Sequence, residues 1–167
     1  EAGYTSAEAI TSQYVVGFLL ALLLVLMTQR QIPKLSLKGF GFLVAAGIFT
    51  ATTGIIFSQT LNYLPASLAV VMLFQFTWIG LLLDCIIKRR LPSRAETFAL
   101  PFLFAGTILA AGIFDVDLSG IPFEGWVFGL LAALSFAIFI QINSKPVEGV
   151  TMITRTFLVS GIALVFI

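Results

Sequence analysis

Long stretches without any charged residue set the hydrophobic pattern of this chain. Five such stretches, of 21, 45, 18, 20 and 12 residues, lie at 9–29, 39–83, 97–114, 125–144 and 156–167. A bilayer core about 30 Å thick requires about 20 apolar residues per helix. Membrane β-barrels instead show alternating segments of about ten residues, roughly half as long as these continuous runs. The pattern therefore predicts membrane-spanning α-helices.

The 45-residue stretch is too long for one span and fits two helices joined by a turn. The sequence Asn-Tyr-Leu-Pro at 62–65 lies near its middle. Asn favours turns, and Pro disfavours the helical conformation of the residue before it, so we predict a tight hairpin there. This division predicts helices near 9–28, 39–60, 66–87, 96–114 and 124–143, and a sixth that begins near 150.

The composition agrees with burial in lipid and excludes several functions. Hydrophobic residues make up 59% of the chain and charged residues only 10%, against about 25% charged residues in soluble domains. The net charge of +1 gives no sign of a nucleic-acid partner. The chain has no His and only one cysteine, Cys85, so an intramolecular disulfide is impossible. We expect no metal and no cofactor.

The basic residues predict the topology of the helices. All nine fall within the connections 30–38, 88–94 and 145–155, whereas the intervening connections carry none. Basic connections are retained on the cytoplasmic side. We therefore predict a multi-pass protein of the plasma (cytoplasmic) membrane, with these three connections cytoplasmic and the N-terminus of this chain outside. The chain begins with Glu1, no signal peptide is recognisable, and the last apolar run has no polar flank, so we expect a longer parent protein.

Few polar side chains fall within the predicted helices. Gln75 and Trp78 lie in the middle of the third, Gln13 and Tyr14 open the first, and Gln141 lies toward the inner end of the fifth. Amides within a membrane need partners, so these residues are candidates for a solute pathway. An interhelical hydrogen bond is the alternative for the three Gln residues and Tyr14, and a core or lipid-facing aromatic is the alternative for Trp78. For Gln75 both interpretations stay open, and for Gln13, Tyr14 and Gln141 we favour the hydrogen bond.

Charged and small residues on the helices predict packing and not chemistry. Asp84 precedes Lys88 by four residues, which predicts an ion pair along one helix face. No carboxylate lies at the midpoint of a predicted helix, so we find no proton relay. Two stripes of small residues predict close approach between helices. Their members are Gly47, Ala51, Gly54 and Ser58 on the second helix, and Gly125, Gly129, Ala133 and Ala137 on the fifth.

One short segment recurs along the chain. Residues 10–17, ITSQYVVG, are echoed at 153–160 by ITRTFLVS, an offset of 143 residues. Such an echo makes the first and sixth helices equivalent, and the repeat then contains five helices. An odd number of helices reverses the orientation of the second copy. The echo therefore predicts an inverted repeat, which is a recurring plan of secondary transporters.

The sequence resembles the drug/metabolite transporter superfamily, in particular its EamA-type members, most strongly over 57–114. Residues 57–69, FSQTLNYLPASLA, are similar to the turn between the family's third and fourth helices, and 73–78, LFQFTW, to the middle of its fourth. Residues 106–112 resemble its fifth helix, and 125–133 resemble the start of its second repeat. Many members carry a Pro in the middle of the fourth helix and a Glu-Arg pair at its inner end, which this chain lacks.

The resemblance implies a polytopic, all-α membrane bundle that is part of a ten-helix inverted-repeat transporter. Residues 1–118 would form most of the first five-helix repeat, without its first helix. Residues 119–167 would begin the second repeat.

The resemblance also implies a secondary transporter that moves a small metabolite, such as an amino acid, by alternating access across the bilayer. Gln75 and Trp78 would line the central cavity, with Gln13, Tyr14 and Gln141 as further candidates. A channel-like protein would require a polar stripe or charged ring along a pore. A non-transporting membrane bundle is a further alternative. An intramembrane enzyme would require paired acids or metal ligands such as HExxH, which the chain lacks. We expect a transporter and not an enzyme.

Overall fold

Seven helices make up most of the described chain. The structure is a computed structural model that describes residues 6–28, 36–110, 120–145, 147 and 149–167. The helices are α1 (Ser6–Thr28), α2 (Leu37–Tyr63), α3 (Ala66–Phe74), α4 (Phe76–Lys88), α5 (Arg94–Ala110), α6 (Phe123–Asn143) and α7 (Met152–Phe166). These ranges contain no strand, which confirms the predicted all-helical class for the described residues.

Four helical segments are long and apolar enough to cross a membrane. They are Ile10–Thr28, Leu37–Tyr63, Ala66–Lys88 and Phe123–Asn143. Each coincides with a predicted helix to within a few residues. The described part of α5 has 17 residues and α7 has 15, and the predicted helix 96–114 ends outside the described residues. Many large apolar side chains face outward, as on α1, where Leu19, Leu20 and Leu23 are more than half exposed, which suits contact with lipid.

The predicted hairpin within the 45-residue stretch is present. Helix α2 ends at Tyr63, and the Leu64 N–H donates to the Thr60 carbonyl at 2.9 Å. Leu64 has the extended conformation that a following proline favours, and Pro65 is the N-cap of α3. The turn is therefore encoded locally.

The third predicted helix is confirmed as one span, Ala66–Lys88. Gln75 keeps helical φ and ψ angles, but the α-helical hydrogen bonding is interrupted at this single residue, and we call this interruption the helix break. The 9-residue α3 ends before this residue, and the 13-residue α4 begins after it. The Gln75 N–H donates to the Met72 carbonyl at 3.2 Å, a tighter turn than the α-helical bond to Val71. The Gln75 side chain takes over the Val71 carbonyl, to which Nε2 donates at 3.1 Å. The amide thus satisfies an acceptor that the break would otherwise leave in lipid.

Small residues let the central helices approach closely. Helix α6 packs along α2, α3 and α4, and α7 packs against α1 and α2. A Cβ added at Gly129 would lie 2.7 Å from Cβ of Met72 on α3, and one at Gly47 would lie 2.5 Å from Ile162 Cγ2 on α7. Both predicted stripes therefore contribute to packing, but toward several neighbouring helices.

Contacts between helices show which connections share an end of the bundle. An added Cβ at Gly39 would meet Val147 at 2.7 Å, so the start of α2 lies beside the α6–α7 connection. One at Gly125 would meet Tyr63 and Leu64, so the start of α6 lies beside the α2–α3 turn. The basic connection after α6 and the basic residue Lys38 therefore lie at one end, opposite the 61–65 turn.

Candidate functional site

The broken helix carries the pair of residues that the sequence singles out most strongly. The Trp78 indole N–H donates to the Gln75 Oε1 at 2.8 Å, while the Gln75 Nε2 donates to the Val71 carbonyl. The Thr77 hydroxyl donates to the Phe74 carbonyl at 2.6 Å. Gln75 and Trp78 are both partly exposed, and all these bonds lie within the α3–α4 segment. The structure therefore brings Gln75 and Trp78 together, and their hydrogen bond holds the Gln75 amide in place at the helix break.

The other two amides have different surroundings. The Gln141 Nε2 donates to the Gly80 carbonyl at 2.9 Å, which joins α6 to α4. This is the interhelical hydrogen bond that the sequence analysis favours for Gln141. The Gln13 side chain is exposed on α1. Neither amide lines the cavity described next.

A cavity of about 260 Å³ lies between α1, α2, α6 and α7. Tyr14 is the one sequence-predicted candidate that lines it, and the Tyr14 hydroxyl donates to the Thr50 carbonyl of α2 at 2.8 Å. Thr50 lies about 20 Å along α2 from its first residue, at 1.5 Å per residue, so the cavity extends deep into the bundle. The described residues that line it are Tyr14, Thr50, Phe139, Asn143, Met152, Arg155, Thr156, Val159 and Ser160.

Arg155 brings a positive charge to this cavity. It lies in the first turn of α7 and is the one charged residue of that helix. Its Nη1 donates to the Lys145 carbonyl at 2.7 Å and its Nη2 to the Ile142 carbonyl at 3.2 Å, so the guanidinium caps the end of α6. Its Nε is buried and has no hydrogen-bond partner in the described chain. In the sequence, Arg155 contributes only to the predicted topology. Its position as the lone charge of an otherwise apolar helix is the signal that identifies it as a candidate site residue.

Two buried hydroxyls between α2 and α6 were also missed. The Thr53 hydroxyl lies 2.9 Å from the Ser135 hydroxyl, and both reach the Phe49 carbonyl, at 2.7 and 3.1 Å. Both side chains are almost fully buried. Because each oxygen has a partner inside the cluster, this feature joins two helices and offers no binding group. Ser and Thr are too common in membrane helices for sequence alone to pick out this pair.

A network of charges surrounds the connection between α4 and α5. Lys88 Nζ lies 2.7 Å from Asp84 Oδ1, at the spacing that the sequence suggested. Arg90 joins the same carboxylate at 2.7 Å and holds Glu96 through two bonds of 2.8 Å. Glu96 lies outside the four candidate spans, and its bonds from Arg90 and then from Ser93 lower its pKa from 4.5 to about 2. Hydrogen bonds to the Glu96 carboxylate and, to a smaller extent, to the Asp84 carboxylate raise the pKa of Arg90. The network fixes a surface turn.

Ser93 and Glu96 form a reciprocal cap at the start of α5. The Glu96 carboxylate accepts from the Ser93 N–H at 2.6 Å, and the Ser93 hydroxyl accepts from the Glu96 N–H at 3.2 Å. This is a capping box, which satisfies two N–H groups at a helix start. The ends of α4 and α5 therefore depend on neighbouring residues in the same short connection.

The described residues contain no group of three or more His, Cys, Asp or Glu side chains that could hold a metal ion. Within the same part of the chain, Cys85 is a buried free thiol. The four apolar helices, each long enough to cross a bilayer, support the class of multi-helix membrane protein. The sequence matches no model of a known protein family and no curated protein.

Proposed function

We propose that this protein is a secondary transporter that moves a small solute across the plasma membrane by alternating access. The observation that carries the proposal is the helix break at Gln75, in the interior of the Ala66–Lys88 span. Irregular membrane helices are a recurring device of transporter binding sites. Here the irregularity brings a side-chain amide into the backbone hydrogen bonding of the span. The Gln75–Trp78 pair adds an amide and an aromatic ring to that point.

The break is the more informative because neither Pro nor Gly occupies it. The residues around it are Phe74, Gln75 and Phe76, which pose no obstacle to a continuous helix. A side-chain amide instead replaces one backbone donor, and an indole fixes that amide. An arrangement that exchanges a regular helical bond for a polar side chain inside a membrane is expected at a functional position.

The proposal includes a ten-helix inverted-repeat architecture of the EamA type, in which α1 and α7 are equivalent helices. Their contacts support it. Phe18 stacks on Phe157 with ring centroids 5.1 Å apart, and Tyr14 shares a cavity with Ser160 while Leu24 shares one with Met152. As the residue number rises along α1, it falls along α7. Two antiparallel copies in contact are what a two-fold axis in the membrane plane between equivalent helices requires.

Transport by reconstituted intact protein tests the function. Proteoliposomes would be assayed with a panel of radiolabelled amino acids and other small metabolites, for wild type and for Gln75→Ala. The substitution removes the partner of both Val71 and Trp78, and a lost hydrogen bond corresponds to roughly a two- to tenfold loss of transport rate. Gln59→Ala is the matched control. Gln59 is an exposed amide near the end of α2, and its side chain accepts a hydrogen bond from the Asn62 amide.

Two results would reject the assignment. A correctly folded Gln75→Ala protein that transports at the wild-type rate would remove the helix break from the pathway. Solute flux that rises in proportion to concentration and never saturates would favour the channel-like alternative.

The proposed orientation has its own test. We propose that the basic connections 30–38, 88–94 and 145–155 face the cytoplasm, because basic residues are retained there. In a Cys85→Ala background, Ser93→Cys should be labelled from the cytoplasmic side by a membrane-impermeant maleimide, and Ser119→Cys from the outside. Labelling with the sides exchanged would invert the whole topology.

A further inference from the structure

We propose that the cavity between α1, α2, α6 and α7 binds the anionic oxygen group of a small solute, with Arg155 as the residue that holds its charge. The inference deepens the proposed transport function, on which it rests. It adds a site separate from Gln75 and Trp78, and it narrows the class of solute.

The charge balance of the cavity is the first argument. Arg155 lines the cavity, and no Asp or Glu is among the described residues that line it. The two partners of the guanidinium are the carbonyls of Lys145 and Ile142, which are neutral groups. No carboxylate in the described residues pairs with Arg155, whereas Lys88 and Arg90 both have acidic partners. A partly buried positive charge whose partners among the described residues are all neutral favours an anion from outside the described chain.

The distribution of hydrogen-bond donors is the second argument. The Arg155 Nε is the one buried side-chain nitrogen or oxygen without a hydrogen-bond partner in the described part of the chain. The exposed Asn143 amide and the partly buried Ser160 hydroxyl also line the cavity. A guanidinium N–H together with neutral donors is the set that carboxylate and phosphate oxygens accept from.

The rest of the lining indicates the body of the solute. Phe139 and Val159 supply an apolar wall, Met152 lies exposed at the rim, and the volume of about 260 Å³ suits a molecule of about the size of an amino acid. A zwitterion would bring an ammonium group for which the described lining offers no carboxylate. The cavity therefore fits a small carboxylate with an apolar body better than a free amino acid.

An equilibrium binding experiment on the intact, detergent-purified protein tests this inference. The probes are two acids, butyrate and phenylacetate, each with its uncharged amide as the matched compound. We expect saturable binding of radiolabelled acid, with no competition by butyramide or phenylacetamide. A charge-assisted hydrogen bond corresponds to roughly a ten- to hundredfold change in affinity, so Arg155→Gln should weaken binding by that factor.

Three variants separate a binding role from a structural one. Arg94→Gln removes an exposed basic residue at the start of α5 and should leave the affinity unchanged. Arg155→Gln also removes the cap on α6, so Ser160→Leu provides a second variant that fills the cavity without touching either carbonyl bond. It should abolish binding at an unchanged melting temperature. Arg155→Lys should retain part of the affinity, since it keeps the charge without the guanidinium fork.

The same oxyanion chemistry could come from a lipid phosphate, and a lipid arm distinguishes the two sources. The acids are titrated in nanodiscs of phosphatidylcholine with and without phosphatidylglycerol, and we expect equal affinities. Arg155-dependent retention of phosphatidylglycerol without acid binding would overturn the solute assignment in favour of a lipid. Competition by the amides, unchanged binding by Arg155→Gln, or no binding of either acid would each overturn the inference.

Failure of this inference is distinguishable from failure of the transport function, because binding at equilibrium needs no movement across the membrane. Arg155-dependent binding in a protein that moves no solute would reject transport and leave the site. Transport of an uncharged solute that Arg155→Gln does not affect would reject the site and leave transport.

Discussion

Replacement of Gly129 by Ala tests the close approach of α6 to α3. The added Cβ would lie 2.7 Å from Met72 Cβ and 3.1 Å from its Cγ, whereas carbon atoms at optimal contact are about 3.5–4.0 Å apart. The nearest atom is at the base of the Met72 side chain and cannot rotate away. The two helices must therefore separate by about 1 Å, or strain remains in the interface.

The expected magnitude follows from two opposing contributions. Overpacking a well-packed interface costs about 1–3 kcal/mol. Ala is favoured over Gly in a helix interior by about 1 kcal/mol. Gly17→Ala is the matched control, because no neighbouring heavy atom lies within 4 Å of an added Cβ there. The helix-propensity gain is common to both variants, so Gly129→Ala should be less stable than Gly17→Ala by about 1–3 kcal/mol.

Equilibrium unfolding in mixed micelles of increasing SDS content, followed by circular dichroism, measures this difference in the free energy of unfolding. Equal stability of the two variants, to within about 0.5 kcal/mol, would show that α3 and α6 do not meet at Gly129. The packing of the whole α2–α3–α6 core would then need revision. Gly125 and Gly129 lie on the same face of α6, and Gly125 contacts the end of α2 while Gly129 contacts α3.

Two further predictions concern the charged turn after α4. Arg89 has a left-handed conformation with φ 48°, so Arg89→Gly should be about 1 kcal/mol more stable in the same unfolding assay than Arg89→Ala, which loses the charge but keeps the strain. The Arg90 N–H donates to the Cys85 carbonyl and the Arg89 N–H to the Ile86 carbonyl, which is the Schellman motif at a helix end. Lower stability of the Gly variant would contradict this end to α4. The pKa of Glu96 is lowered in the fold, so its ionised form stabilises the folded state above about pH 4.5, and this contribution is lost as the pH falls toward about 2. Wild type should therefore lose more stability than Glu96→Gln over that interval, and parallel pH profiles would count against the Arg90–Glu96 bond.

The membrane-crossing helices could be predicted from sequence because their causes are local. The length of an uncharged run is fixed by the thickness of a bilayer, and the turn at 62–65 is fixed by Asn62 and Pro65. The spacing of Asp84 and Lys88 places them on one helix face in the same way. None of these features depends on which helices pack together.

The features that the sequence did not predict depend on tertiary contacts or on side-chain substitution of backbone bonds. The apolar pattern continues through Gln75, so periodicity could not locate the break, which shows only in the bond from the Gln75 amide to the Val71 carbonyl. Likewise, Gln141 and Tyr14 look equivalent in the sequence. Both make interhelical hydrogen bonds, Gln141 to Gly80 and Tyr14 to Thr50, but only the arrangement of the helices makes Tyr14 part of a cavity wall.

We propose two roles for the positive charge of Arg155: it helps to retain its connection in the cytoplasm, and it binds an anionic solute in the cavity. In the sequence it is one of nine basic residues, and its position beside the 145–155 connection accounts for it completely. A long arginine side chain, however, carries its charge several ångströms from its own Cα. Here it extends back to the last carbonyls of α6, which fixes the guanidinium, and two of its nitrogens are used in doing so. The third, Nε, is left buried beside a cavity that α1 and α2 complete. The proposed binding role of Arg155 therefore depends on the end of α6, which holds the guanidinium in place. No pattern along α7 alone contains that information.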